Sequence, residues 1–376
     1  MNPPPLIKSR LLKQLERDIA AAPTPVLSAC SRAKRAMLLA RHGALAEARE
    51  TLTGLHQLAF QHPHPEIGAW LHLAEGLMSY YTDFGSTSRD KIARALKIAR
   101  ATPGANLAEV EALCCAWLAQ LAYVAHDYEQ LLVQAADCLR CAAPDNHVAR
   151  ARLAMAVALT WHYAGDAGTA QAWYMRARRH ASLEGDDAML SAVMYNMAEM
   201  RAAQARHESL SSVPGQGREL LLGVDSVEHY DQALGLASMA DLTPILRAQI
   251  LTLYGDYEQA CQLFEQYLPQ AMSMGLSRLG SSLLADLAWC RVNCGQHDHA
   301  LRQAQEAEIE LDPQCDLDDR AITHSRLTQV YNRLGLDDRA AQHRQLADQC
   351  WADFAAEQVR IRALLMGAGL LQPQEP

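Results

Sequence analysis

The feature that most constrains this chain is a short join that returns about every 40 residues. One copy reads Gly295-Gln296-His297-Asp298-His299-Ala300. Gly255-Asp256-Tyr257-Glu258-Gln259-Ala260 precedes it, and Gly335-Leu336-Asp337-Asp338-Arg339-Ala340 follows it. Gly165 with Ala170, and Gly43 with Ala48, mark earlier copies. Taking the first residue of each join as a zero point gives Gly43, Gly85, His126, Gly165, Ala205, Gly255, Gly295 and Gly335. The intervals between them are 42, 41, 39, 40, 50, 40 and 40 residues. A period held over that many units marks a repeat array, in which each unit packs only on its neighbours.

The join has a physical reading. A Gly where a helix ends takes a left-handed conformation without Cβ strain. The Asp that follows in Gly165-Asp166 and Gly255-Asp256 can cap the next helix by accepting from its free backbone N–H groups. Seven residues before the zero points stand Ala36, Met78, Ala119, Ala158, Ala198, Ala248, Ala288 and Thr328. Five residues after them stand Ala48, Asp90, Leu131, Ala170, Ala260, Ala300 and Ala340. Small side chains at both positions let the two helices of a hairpin approach closely. Ala and Leu carry most of the apolar half of the composition, which favours helix, and no sustained alternating run points to a sheet. The expected fold is all-α: a right-handed superhelical solenoid of about eight helical hairpins with capping helices.

Punctuation sets the expected boundaries. Residues 1–28 read as an N-terminal capping helix, from about Leu6 to Ala21, and a linker through Pro23 and Pro25. Residues 29–355 read as the repeat array, and 356–376 as an extended helix end and tail. Pro63, Pro65, Pro103-Gly104, Pro144-Asp145, Gly185 and Asp312-Pro313 mark inter-unit turns. The one long interval, 50, carries Glu208 to Gly217, a polar Ser/Pro/Gly stretch that reads as an inserted loop. The last helix, about Asp337 to Met366, carries an apolar stripe of Leu346, Cys350, Trp351, Phe354, Ile361 and Leu365. That stripe suits either a cap on the stack or a homodimer contact.

Several function classes fall away. The net charge is −9, with basic residues scattered, a poor match for phosphate-backbone binding. The N-terminus lacks an apolar core of signal-peptide length, and no apolar run reads as a membrane span. The expectation is a cytoplasmic protein without direct nucleic-acid or membrane contact. Most of the ten cysteines fall on apolar helix faces, where a free thiol behaves as a small hydrophobe. Cys138-Leu139-Arg140-Cys141 is a CxxC, with Cys114, Cys115, His126 and His147 near it in sequence. Zinc needs four converging ligands, and no second pair stands at ribbon spacing, so core cysteines are the better reading. His62/His64 and His297/His299 are two-residue pairs; on a helix such imidazoles diverge. No phosphate loop, nucleophile elbow or HExxH occurs. Neither a catalytic set, a cofactor nor a metal site is expected.

The phrases Thr328…Tyr331…Gly335…Ala340, Ala158…Trp161…Gly165…Ala170 and Gly255-Asp256-Tyr257-Glu258-Gln259-Ala260 resemble the tetratricopeptide repeat family, over about residues 30 to 355. The longer period departs from the common 34-residue unit. It is similar to the variant found in sensor domains of large bacterial transcription activators and in kinesin light chains. The resemblance implies that the first helix of each unit lines a concave groove. In that register stand Gln120, Tyr123, His162, Tyr163, Tyr195, Glu199, Gln249, Trp289, Asn293, Gln329, Asn332 and Arg333. Amides there can hydrogen-bond an extended peptide and aromatics can anchor side chains; the same aromatics equally suit packing between units. The Lys/Asn carboxylate clamp of some family members is absent. The resemblance therefore implies a non-catalytic protein- or peptide-binding scaffold or regulatory adaptor in bacterial signalling. The alternatives are a ligand- or peptide-sensing receptor of a transcriptional system and, last, a metal-binding protein.

Overall fold

A computed structural model describes residues 7–83, 87–102, 107–210, 218–237, 240–273, 280–312 and 315–372. Among these residues there are seventeen α-helices and no strand. The first is α1 (Arg10–Ala21), and pairs follow. These are α2 (Pro25–Arg41) with α3 (Leu45–Gln61), α4 (Pro65–Asp83) with α5 (Ser88–Ala101), α6 (Leu107–Val124) with α7 (Tyr128–Cys141), and α8 (His147–Tyr163) with α9 (Ala167–Glu184). Next come α10 (Asp187–Ser209) and α11 (Arg218–Leu234), α12 (Leu242–Tyr254) and α13 (Tyr257–Ser273), α14 (Gly280–Asn293) and α15 (His297–Ile309), and α16 (Leu317–Arg333) and α17 (Asp337–Gly367). The chain divides into two compact units. Unit 1 holds Met1–Val193, Tyr230–Ser238 and Ile361–Pro376; unit 2 holds Met194–His229 and Met239–Arg360.

The joins work as their chemistry requires. Gly43, Gly165, Gly255, Gly295 and Gly335 all have φ between 72° and 82°, and His126 stands in for Gly at φ 54°. At Gly295 the turn closes with Gln296 N–H donating to the Arg291 carbonyl, so the reversal reuses a carbonyl that the helix end leaves open. Asp166 caps α9 through the Thr169 N–H at 2.9 Å, and Asp127 caps α7 through the Gln130 N–H at 3.1 Å. All eight residues seven positions before the zero points are buried. So are those five positions after, except Asp90, which is exposed.

Four expectations need correction. Ala205 is not a turn: α10 runs on through it to Ser209, because nothing before Ser209 breaks an Ala-rich helix. In the second pair the close approach is made elsewhere than at Asp90. Gly76 on α4 lies so near α5 that a Cβ there would meet Ile92 Cγ1 at 2.7 Å. And α6 is, by length and composition, apolar enough to cross a membrane; it is the core helix of unit 1, with Val110, Ala112, Cys114, Cys115, Ala116 and Ala119 at zero exposure. The capping helix begins at Arg10, capped by Ser9, rather than at Leu6. Gly85, Pro103-Gly104, Pro313 and residues 211–217 of the expected loop lie outside the described residues.

The apolar stripe of α17 divides. Cys350 and Phe354 are buried in unit 2, and Leu346 is 40% exposed. Ile361 and Leu365, which prompted the dimer alternative, are buried in unit 1. There the chain end closes on α8 and α9: the Leu370 carbonyl accepts from Trp161 Nε1 at 2.9 Å and Trp173 Nε1 at 3.1 Å. Arg362 Nη1 donates to the Ala164 carbonyl.

Candidate functional site

Unit 2 places charge where apolar side chains would be expected. Asp286 interrupts the run Leu283-Leu284-Ala285-Asp286-Leu287-Ala288 on α14 and is 1% exposed. Arg326 on α16 stands nine residues before its zero point, as Asp286 does, so the stacking of successive units brings the two together. Arg326 Nε donates to Asp286 Oδ1 at 2.8 Å, and Arg206 Nη2 on α10 donates to Oδ2 at 2.5 Å. Arg206 also reaches the Ser282 carbonyl at 3.2 Å. Arg326 Nη1 holds Gln329 Oε1 at 2.7 Å, and its guanidinium lies 5.6 Å from the Trp289 ring centre. Both Arg side chains are buried. One carboxylate between two buried guanidiniums fixes three helices against one another, and unpaired buried charge is what makes such a network costly to break.

Next to it is an excess of acid. Ser282 Oγ donates to Asp319 Oδ1 at 3.0 Å. Asp316, Asp318 and Asp319, at the start of α16, bring carboxylate oxygens within 4.8 Å of one another. Burial pushes Asp318 up, with the Asp316 charge adding to it, and the same causes, burial and a neighbouring carboxylate, push Asp319 up. Glu199 on α10 is raised to about 7 by burial, against the pull of Arg206. Perturbed carboxyls gathered in one place are a functional-site signal. A cleft of about 500 Å³ opens between the end of α10, α16 and α17. His207, Ser325, Thr328, Gln329, Arg344, Asp348 and Trp351 line it. Trp351 is held by its Nε1 donating to Ser325 Oγ at 3.0 Å and by the His207 ring at 5.0 Å.

Glu199 carries a pH signature whose sign can be worked out. Its folded value lies above the ordinary carboxyl value, so the folded chain holds a proton the unfolded chain has lost. Its contribution is present below the unfolded value and is lost as pH rises through about 7. The histidines His42, His162, His180 and His324, lowered to about 4 by burial, act in the opposite sense. The readout is therefore a difference. The stability advantage of Glu199→Gln over wild type, from urea midpoints, should grow between roughly pH 5 and pH 8. An advantage that is flat with pH removes the claim.

The groove residues expected from the register scatter. In unit 2, Tyr195 packs on a small core of Ala198, Ala202, Val224, Leu246 and Ile250. Glu199, Trp289 and Gln329 adjoin the charged network, and Gln329 also lines the cleft. Asn293 turns back to donate to the Trp289 carbonyl at 2.8 Å. Gln249 is half-buried, while Asn332 and Arg333 are exposed. In unit 1, Gln120 is buried with its amide oxygen enclosed, and Tyr123 is half-buried. His162 is lowered to about 4 by burial. Tyr163 stacks on Tyr128 at 6.4 Å and meets His126 edge-on at 5.4 Å, so it packs the hairpin join. Register reasoning missed Arg206, Asp286, Arg326, His207 and Trp351 as site residues; the visible signal was an acid inside an apolar run. Cys138 and Cys141 do not converge with the nearby histidines on one metal position. His62, His64, His297 and His299 are exposed.

No protein-family model matches this chain, and no curated protein does. Among solved structures it is similar to a Rap protein, in a crystal structure of that protein complexed with competence and sporulation factor. The TM-score is 0.58 at 11% identity, over 88% of this chain and 99% of that one. At that identity the likeness speaks for the fold alone, an all-α helical repeat.

Proposed function

We propose that this protein is a non-catalytic regulatory adaptor that takes a protein or peptide at the unit 2 cleft. The observation that carries the reading is the charged network beside that cleft. Arg206, Asp286 and Arg326 hold three helices in register, and Trp351, Gln329 and Arg344 stand at the opening. Those groups bind and orient: an indole for burial, an amide and a guanidinium for polar contact, and no nucleophile paired with a base. The similar Rap protein, complexed with competence and sporulation factor, lends the reading its regulatory form. A bacterial setting, a cytoplasmic location and kinship with the 40-residue variant of transcription-activator sensors belong to the same proposal.

The test is affinity purification with wild type and with Arg344→Glu/Trp351→Ala, alongside Asn332→Ala/Arg333→Ala as a control on exposed α16 residues. A partner held by wild type and the control should drop by about tenfold or more with the cleft variant, the size expected for losing an aromatic anchor. A folded cleft variant, checked by circular dichroism, that keeps every partner sinks the cleft reading.

A further inference from the structure

Arg152 carries a buried charge that the fold leaves without a counter-charge. It sits in the run Ala151-Arg152-Leu153-Ala154-Met155-Ala156-Val157-Ala158 on α8, every member of which is buried. Four arginines are buried among the described residues. Arg41 pairs with Asp186, and Arg206 and Arg326 share Asp286. Arg152, 8% exposed, meets no carboxylate among the described residues. Its guanidinium lies 4.0 Å from the centre of the Trp117 ring on α6. Nη2 donates to the Tyr81 hydroxyl on α4 at 3.4 Å, longer than a good hydrogen bond. Nε is enclosed without a partner, and Nη1 has none either. The indole satisfies the face of the group, not the N–H donors on its edge. Buried donors are costly to leave unmade, so a structure rarely keeps them idle. The neighbours do not make up the deficit. Asp186 is committed twice, its Oδ2 to Arg41 and its Oδ1 to the Met189 N–H at 3.1 Å. The helices α4, α6 and α8 pack side by side in unit 1. Tyr80 and Tyr81, both half-buried, stand edge-on to each other at 5.2 Å and to Trp117 at 5.2 and 5.8 Å. One cation is thus set among aromatic rings with part of its donor edge unused.

We propose that Arg152 anchors a carboxylate-binding site in unit 1, whose ligand is a small organic acid. The charge sets the class: one uncompensated guanidinium matches one negative charge. A carboxylate is planar and accepts two parallel N–H bonds, here from Nη1 and from the second N–H of Nη2. The Tyr81 hydroxyl accepts from Nη2, so its own proton is left to donate to a bound oxygen. Tyr80 and Tyr81 offer ring surface to an apolar part of the acid. Nothing of the unit 2 cleft is used, so this site stands or falls separately from the adaptor reading.

The test follows the arginine Nε–Hε signals of the full isotope-labelled chain by NMR. Sodium acetate, sodium benzoate or sodium phosphate replaces sodium chloride at constant ionic strength. The Arg152 signal is identified by its absence in Arg152→Lys. Should that variant not fold, Trp117→Phe identifies it through the changed ring-current shift. The Arg152 signal should move saturably with acetate and with benzoate. Benzoate should saturate at a concentration roughly two- to tenfold lower, because its ring meets Tyr80 and Tyr81. The signals of Arg41, Arg206 and Arg326, whose acceptors are built in, should stay in place. Tyr81→Phe keeps the ring and removes the second donor, and should weaken acetate roughly three- to tenfold. An Arg152 signal that moves with none of the three anions overturns the proposal. So does a shift shared equally by all four arginines, which is a general salt effect. Phosphate acting at a lower concentration than acetate also overturns it, since the site would then be one for phosphate groups.

Discussion

Asp286→Ala should lower the unfolding free energy of unit 2 by about 3–5 kcal/mol, the range for breaking a buried charge pair from one side. Asp286 is 1% exposed, Arg206 6% and Arg326 4%. Removing the carboxylate leaves two guanidiniums enclosed with their main acceptor gone. The Ser282 carbonyl still accepts from Arg206 and Gln329 from Arg326, which relieves part of the cost. Replacing all three charged residues by apolar ones, as Asp286→Leu with Arg206→Met and Arg326→Met, should cost far less, since no charge is then stranded. Urea unfolding followed by circular dichroism measures both. A single variant no less stable than the triple one would mean that the carboxylate is not what balances the two cations.

Truncation after Arg360 should have the larger effect, at least about 5 kcal/mol, because several core side chains go at once. Ile361, Leu365 and Leu370 are at most 5% exposed in unit 1. Losing any one of them to Ala would fall in the range of about 2–5 kcal/mol. The indole N–H groups of Trp161 and Trp173 also lose the Leu370 carbonyl, and both rings, now buried, meet water. The expected reading is a lower urea midpoint together with a red shift of tryptophan emission in the folded baseline. Unchanged emission would show that the two rings do not depend on the chain end.

Much of the fold was legible because its cause is local. A left-handed join needs Gly, and five of the zero points are Gly at positive φ. Close helix approach needs a small residue, and Ala36, Ala119, Ala158, Ala248 and Ala288 are all buried where the period puts them. The fifth interval misled because Ala205 lies in a helix that simply continues. The site was less legible. The tetratricopeptide register says which helix faces inward and not which side chains meet, so Tyr163 proved to be packing at a join. The salt network depends on three helices that are distant in sequence: Arg206 lies 80 positions from Asp286, and Arg326 lies 40. No periodicity records such a meeting.

The closing of the chain end on Trp161 and Trp173 has a consequence for how the protein is made. Nearest-neighbour repeats can settle one after another as they leave the ribosome. Here the acceptor for Trp161 lies 209 residues further on. At 5–20 residues per second that is a wait of roughly 10–40 s. Through that interval the α8/α9 hairpin exists with two indoles unsatisfied and an apolar surface open to solvent. Unit 1 is the first to be synthesised and the last to be finished. Its final assembly therefore waits until unit 2 has been made, and any factor that shields nascent apolar surface has its longest window on this hairpin.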